Sequence, residues 1–250
     1  MIIDSHVHIN SKVIDDLDYT LKHINKQKNL ESVINVGLDI ETSKECAEIS
    51  KRENKFYSSV GIHPLYIEKE NCNQLFNLIN DKVVAIGEIG LDSTRGNYYE
   101  QKKYLIRQIF IANELKLPVI IHSNNSNKQI IEIFENSIKP KYGCVFHCFQ
   151  PDLDILKYII DNEYFISFAG RITYKTAKKS IEIIKEVPID NFLVETDSPF
   201  IPIGLNKEIE SKPSNINYII NRISKIKEID YKEIEEITSR NTKVLFKKMR

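Results

Sequence analysis

Residues 98–122 read YYEQKKYLIRQIFIANELKLPVIIH. The stretch Tyr98–Leu115 carries Leu105, Ile109 and Ala112 at helical spacing. It is followed by Val119-Ile120-Ile121, a short β-branched run that stops at His122. A long amphipathic segment followed by a short apolar run ending on a polar residue is one unit of an alternating helix–strand chain.

The unit recurs in both directions. Short runs rich in β-branched residues lie at Ile2–Asp4, Ser32–Val36, Phe56–Val60, Val83–Ile86, Val119–Ile121, Cys144–His147, Tyr164–Ser167 and Phe192–Val194. Helical stretches separate them at Asp15–Gln27, Glu41–Glu53, Asn73–Asn80, Tyr98–Leu115, Ser126–Ile138, Asp152–Asn162 and Thr173–Lys185. Two more helices are expected at Pro213–Ile226 and Tyr231–Lys248, the latter with Asp230 as N-cap and Glu233 as its capping-box partner. Strands alternating with helices imply a parallel sheet, and eight is the number that closes a barrel. The expected fold is therefore an α/β (β/α)8 TIM barrel, a single domain over residues 1–250. A doubly wound open sheet competes, but no Gly-rich phosphate loop follows the first strand.

Composition agrees with one globular domain: 250 residues, 42% hydrophobic and 28% charged. With 35 basic and 35 acidic residues the net charge is zero, so any nucleic-acid contact has to come from local patches. The four cysteines (Cys46, Cys72, Cys144 and Cys148) are too few for a disulfide scaffold and suit a reducing compartment. Met1–Asn10 lacks the basic and apolar regions of a signal peptide, and apolar runs such as Val83–Ile86 fall far short of the roughly 20 residues of a membrane span. The expectation is a cytoplasmic monomer with no membrane association and no obligate protein partner.

Five of the six histidines lie at or just beyond predicted strand ends: His6, His8, His63, His122 and His147. His23 lies mid-helix and reads as a surface or packing residue. In a barrel, the C-terminal ends of the strands carry the active site. His6 and His8, two apart in an extended segment, face the same side and can grip one cation. Glu88 and Asp197 join them at the same face. A carboxylate can bridge two cations where a neutral imidazole offers one lone pair, so Glu88 is the candidate bridge. His122 and His147 supply nitrogen ligands for a second metal. Asp197 can bind a metal and also accept a proton from water. Glu195 either orients a ligand or makes a structural hydrogen bond. His63 either touches a substrate phosphate or hydrogen-bonds structurally. Cys144 and Cys148 sit at odd spacing from His147, are expected to face away from it, and are not counted as ligands.

Together these segments resemble the TatD family of metal-dependent deoxyribonucleases, within the amidohydrolase superfamily. The matching pieces are Asp4-Ser5-His6-Val7-His8, Gly61-Ile62-His63-Pro64, Gly87-Glu88-Ile89-Gly90-Leu91-Asp92, Pro118–Ser123, His147-Cys148-Phe149 and Glu195-Thr196-Asp197-Ser198-Pro199. They run in the family's order, and Pro213 continues the match. The resemblance implies a (β/α)8 barrel holding two divalent metal ions on His6, His8, Glu88, His122, His147 and Asp197. It also implies exonuclease-like hydrolysis of phosphodiester bonds in DNA. Two places differ from the family. Asn124 stands where Arg is common, and Lys207-Glu208-Ile209-Glu210-Ser211-Lys212-Pro213 replaces an Arg-Gly-Lys-Arg-Asn-Glu-Pro run. Arg binds phosphate bidentately and Lys does not.

The expected chemistry is two-metal hydrolysis, with Asp197 and Glu88 as the catalytic carboxylates. His63, Arg171, Lys175 and Lys207 are the candidate substrate-binding residues; Lys178 and Lys179 read as a solvated helix face. Mixed nitrogen and oxygen donors suit Zn, Mn, Ni or Fe, and Mg less well. The same metals acting on a cyclic amide, lactone or phosphotriester form the nearest alternative, and a non-catalytic metal-binding protein is a more distant one.

Overall fold

Each β-branched run becomes a strand in the computed structural model, which describes residues 1–68, 70–204 and 210–249. The strands are β1 (Ile2–Val7), β2 (Leu30–Val36), β3 (Phe56–Val60), β4 (Val83–Asp92), β5 (Val119–Asn124), β6 (Cys144–Phe146), β7 (Phe165–Phe168) and β8 (Phe192–Val194). They pair in chain order, every neighbour parallel. The ring closes just beyond β8, where Val7 bridges Ser198 in parallel. There the His8 N–H donates to Ser198 O at 2.7 Å and the Asp197 N–H to His6 O at 3.0 Å. The fold is the expected (β/α)8 barrel, not an open sheet.

The helices are α1 (Leu17–Lys26), α2 (Ile40–Arg52), α3 (Tyr98–Leu115), α4 (Asn127–Asn136), α5 (Leu153–Asp161), α6 (Lys178–Glu186), α7 (Ile216–Lys227) and α8 (Tyr231–Leu245). Their starts follow from short polar side chains that accept otherwise orphaned N–H groups: Asp16, Asp39, Asn97 and Asp152 cap α1, α2, α3 and α5. Asp230 caps α8 as expected, but its carboxylate accepts from Lys232 N–H at 2.8 Å rather than from Glu233. No described helix is long and apolar enough to cross a membrane.

Two helical expectations are corrected. The segment between β3 and β4 is a 3-10 helix, Cys72–Leu78. Asparagines bond the local backbone at both ends: Asn71 accepts from Asn73 N–H at 3.0 Å and Asn80 from Lys82 N–H at 2.7 Å. The helix expected from Thr173 begins at Lys178, because Gly170–Thr173 is a 3-10 turn in which the Thr173 hydroxyl donates to Gly170 O at 2.6 Å.

Two apolar layers hold the barrel. The outer layer packs strand residues such as Val33, Val60 and Ile121 against helix residues such as Leu105, Ile109 and Ile220. The inner layer takes Ile3, Ile34, Val84, Ile120, Val145, Phe165 and Leu193 from seven different strands. Leu245, Phe246 and Met249, at and beyond the end of α8, belong to that same cluster. The C-terminal segment thus forms the barrel floor, and the Ser239 hydroxyl donates to Met1 O at 2.7 Å beside it.

Strict alternation would not deliver the site. Ile3 belongs to the inner layer, so regular alternation would send Ser5 and Val7 inward and His6 and His8 out. A register shift between Asp4 and Val7 reverses this, placing Val7 in the outer layer and both imidazoles inside. In β4, Ile86 and Ile89 both belong to the outer layer though three residues apart, and a register shift between them frees Glu88 to turn inward. Gly90, paired with His122, has no room for a side chain: an added Cβ would lie 1.9 Å from His122 O. Gly90→Ala is therefore expected to cost at least about 2 kcal/mol, a fall in melting temperature of roughly 4–8 °C by thermal denaturation.

Candidate metal centre

Six of the eight parallel strands deliver polar groups to the C-terminal mouth of the barrel. β1 brings His6 and its successor His8, the turn after β3 brings His63, β4 brings Glu88, and β5 brings His122. His147 follows β6 directly, and Asp197 follows β8. Six of these seven are buried; His122 is half-buried.

Glu88 lies at the centre, and its two oxygens face different groups. Oε2 is 3.4 Å from His6 Nε2 and 3.6 Å from His8 Nε2. Oε1 is 2.6 Å from His122 Nδ1 and 2.8 Å from His147 Nε2. Asp197 Oδ1 completes the first group, 3.3 Å from His8 Nε2 and 3.8 Å from His6 Nε2. His6, His8 and Asp197 offer donor atoms within 4.8 Å of one another, and so do His6, Glu88 and His147, and His63, Glu88 and His122.

The hydrogen bonds behind these rings decide which nitrogen faces inward. His8 Nδ1 donates to Val36 O at 2.9 Å, so the Nε2 of the neutral ring is a lone pair. His147 Nδ1 lies 3.2 Å from Glu195 Oε1, a carboxylate that also accepts from Cys148 N–H at 2.7 Å and the Ser167 hydroxyl at 2.6 Å. Glu195 thus does what one of its two expected roles required, holding the outer face of a candidate ligand. His63 differs. Leu65 N–H donates to its Nδ1 at 3.1 Å, so the proton of the neutral ring sits on Nε2. Burial pushes the His63 pKa down to about 3, keeping it neutral. It presents a donor to the pocket, not a ligand lone pair, despite its proximity to Glu88.

Electrostatics favours a cation here. Burial opposes ionisation of Glu88, but the adjacent His147 and the hydrogen bond from His122 hold its carboxyl well below the usual range. Burial of Asp197 is likewise outweighed by His8 and His147. On His8 and His147 burial opposes protonation, and Asp197 and Glu88 overcome it, raising both. The inner nitrogens therefore share two ionised carboxylates whose charge a proton or a metal ion can meet. His6 and His8 Nε2 are 3.1 Å apart and face the same space, and His6 Nδ1 is buried with no hydrogen-bond partner among the described residues. Asp197 Oδ1 is buried with no hydrogen-bond donor among the described residues. Divalent cations fit this donor set, and binding would release the protons.

Asp4 braces the arrangement. Its buried carboxyl group accepts from Thr196 N–H at 2.9 Å and the Thr196 hydroxyl at 2.6 Å, fixing the turn that carries Asp197. Asp197 itself has a left-handed backbone, φ 51°.

Beyond the candidate ligands, the mouth is a cavity of about 210 Å3 whose walls include Leu38, Leu65, Tyr66, Phe200, Ser123, Asn124, Gln150 and Arg171. A neighbouring groove of about 640 Å3 shares Leu65 and Tyr66 and runs to Arg95, Asn97 and Tyr104. Of the candidate substrate-binding residues, His63 and Arg171 line the cavity. Lys175 is exposed and does not line it, and Lys207 lies outside the described residues. Lys178 and Lys179 are exposed at the start of α6, and His23 is exposed on α1.

One expectation is corrected and one residue was missed. Cys148 does not turn away: β6 ends at Phe146, the Cys148 backbone is left-handed with φ 42°, and strand alternation no longer applies, so it lines the cavity. Cys144 is buried as expected. The missed residue is Asp92, whose Oδ2 lies 3.2 Å from His122 Nε2 and accepts from Asn124 Nδ2 at 3.3 Å. The hydrogen bond with His122, aided by Thr94 and Asn124, holds its carboxyl below the ordinary range. The signal was its place four residues after Glu88 in a strand that runs on to Asp92.

The model of the family described as TatD related DNase matches residues 3–247. The chain belongs to this family. A relative from Bacillus subtilis, the uncharacterized metal-dependent hydrolase YabD, is 32% identical over 99% of both chains. Among solved structures, the Escherichia coli K12 TatD homolog YJJV superposes with a TM-score of 0.89 at 26% identity, covering 98% of each chain. A TatD-family hydrolase from Entamoeba histolytica shares the fold, with a TM-score of 0.85 at 21% identity over 98% of this chain and 97% of its own. This TatD-family protein is a metal-dependent hydrolase.

Zn2+ or Mn2+ added to metal-stripped protein is expected to raise the melting temperature. At a hundredfold excess over Kd the gain is about 2.7 kcal/mol, roughly 5–10 °C. Glu88→Gln should abolish most of that shift in thermal melts, and His23→Ala should leave it intact.

Proposed function

We propose that this TatD-family hydrolase cleaves phosphodiester bonds in DNA with two divalent cations. The observation that carries the reading is the division of Glu88, with Oε2 toward His6 and His8 and Oε1 toward His122 and His147. One cation would be held by His6, His8 and Asp197, the other by His122 and His147, with Glu88 shared. Bound there, such ions supply Lewis acidity to a phosphoryl oxygen and lower the pKa of water.

The chain's own groups do the rest. Asp197 Oδ1, free of hydrogen-bond donors among the described residues, accepts the proton of the attacking water. His63 donates through Nε2 to a phosphate oxygen. Arg171, the one Lys or Arg among the described residues lining the cavity, neutralises the phosphate. The apolar wall of Leu38, Leu65, Tyr66 and Phe200 suits a sugar and base. The groove sharing Leu65 and Tyr66 gives a polymer room to continue.

A second reading, hydrolysis of a small lactone or cyclic amide, is favoured by Asn124, a neutral amide where the family commonly has Arg. Incubation with DNA, RNA, a small phosphodiester and a lactone, with Mn2+ and with chelator, separates the two. Chelator-sensitive release of nucleotides from DNA is expected, and turnover of the lactone alone would overturn the DNA reading. Asp197→Ala is expected to lower kcat by about 100- to 10,000-fold with the fold retained by circular dichroism. Arg171→Ala is expected to raise KM for DNA by about tenfold, the equivalent of ~1.4 kcal/mol.

A further inference from the structure

Asp92 is buried and held from both sides. Its own N–H donates to Gln101 Oε1 at 2.9 Å, and Gln101 Nε2 donates back to Asp92 O at 3.1 Å, locking the end of β4 to α3. The two carboxylate oxygens then divide their work. Oδ1 accepts from Thr94 N–H at 2.8 Å and from the Thr94 hydroxyl. Oδ2 faces His122 Nε2 at 3.2 Å and Asn124 Nδ2 at 3.3 Å. Asn124 in turn accepts at Oδ1 from Gln150 Nε2 at 3.0 Å, and Gln150 Oε1 accepts from Asn125 N–H at 3.1 Å.

Every donor in this chain is fixed by a backbone amide at each end. The Asn125 N–H obliges Gln150 to present its amide nitrogen to Asn124. That obliges Asn124 to turn its own nitrogen to Asp92. The Thr94 N–H fixes Oδ1, leaving Oδ2 to accept. A carboxylate oxygen accepts only, and both ring nitrogens of His122 face one: Nδ1 lies 2.6 Å from Glu88 Oε1 and Nε2 3.2 Å from Asp92 Oδ2. A cation shared with Glu88 would take the lone pair of Nδ1, and Asp92 is then the acceptor that holds the ring proton on Nε2.

We propose that Asp92 is a positioning residue that sets the tautomer of His122, making Nδ1 its ligand nitrogen, and that Asn124 and Gln150 tie this carboxylate to the cavity wall. This rests on the reading of His122 as a metal ligand. Asn124 and Gln150 both line the cavity, so Asn124, standing where an arginine is common, serves the metal's support as well as the substrate's wall. An arginine at 124 would pair with the same carboxylate as a cation; the asparagine leaves Asp92 with His122 as its one ionisable partner among the described residues.

Asp92→Asn tests this with little change of shape. The Thr94 N–H keeps the new amide oxygen on its own side, so the amide nitrogen faces Nε2 and demands a lone pair there. The ring proton is thereby driven to Nδ1. Two readouts apply, neither needing turnover. In Zn2+-loaded wild-type protein, 15N spectra of the histidine rings are expected to show His122 protonated on Nε2. In competition with a fluorescent chelator, Asp92→Asn is expected to bind Zn2+ about 10- to 100-fold more weakly than wild type, while its metal-free melting temperature stays close to wild type. A His122 proton on Nδ1 in the loaded wild type overturns the inference even if the variant does not fold, and so does a folded variant binding within twofold of wild type. A wild type that binds neither Zn2+ nor Mn2+ overturns the functional reading instead.

Discussion

Ionised carboxylates packed among imidazole nitrogens, away from water, form an arrangement that needs positive charge at its centre. Glu88 and Asp197 are both buried and both held in the charged form. A buried charge without a partner is among the most costly features a protein can carry. Much of the upper barrel can be understood as the means of holding these groups at close range. The register shifts of β1 and β4 turn three of them inward. Gly90 lets β4 lie against the carbonyl of His122. Asp4 and Glu195 anchor the turns that carry Asp197 and His147.

The layer below has a different character. Inward residues there are aliphatic or aromatic, drawn from seven of the eight strands, and make a rigid apolar plug. Side chains at the mouth are thus mounted on a close-packed base, the condition under which donor atoms keep their geometry. The cavity wall is less uniform: apolar on the Leu38, Leu65 and Phe200 side, amide-lined at Asn124 and Gln150, cationic only at Arg171 among the described residues.

The strands were legible because β-branched runs stop abruptly at polar residues, and β3 and β8 match their expected limits. The strand-end histidines were legible for the same reason: position in the unit decides which face of the barrel a residue reaches. What was hidden followed from backbone irregularity. His-x-His faces inward only because a register shift reverses the phase of β1, which period-two reading cannot detect. Asp92 was overlooked because β4 was expected to stop at Ile86, and its two glycines disguise a strand that continues to Asp92. Cys148 turned into the cavity through a left-handed residue that no local composition announces. Polar competition by Asn71 and Asn80 made a 3-10 segment where apolar spacing alone suggested α-helix.

The floor of the barrel has a consequence for how the molecule assembles. The first strand bridges the turn after the last one, and the Met1 carbonyl accepts from Ser239 in the final helix. Contacts this distant along the chain form late, because the intervening loop must be closed before they gain anything. His6 and His8, far from Asp197 along the chain, are thus among the last groups to be fixed against it. They remain apart from Asp197 until the ring closes, so a metal ion would meet a complete set of ligands only in a finished barrel.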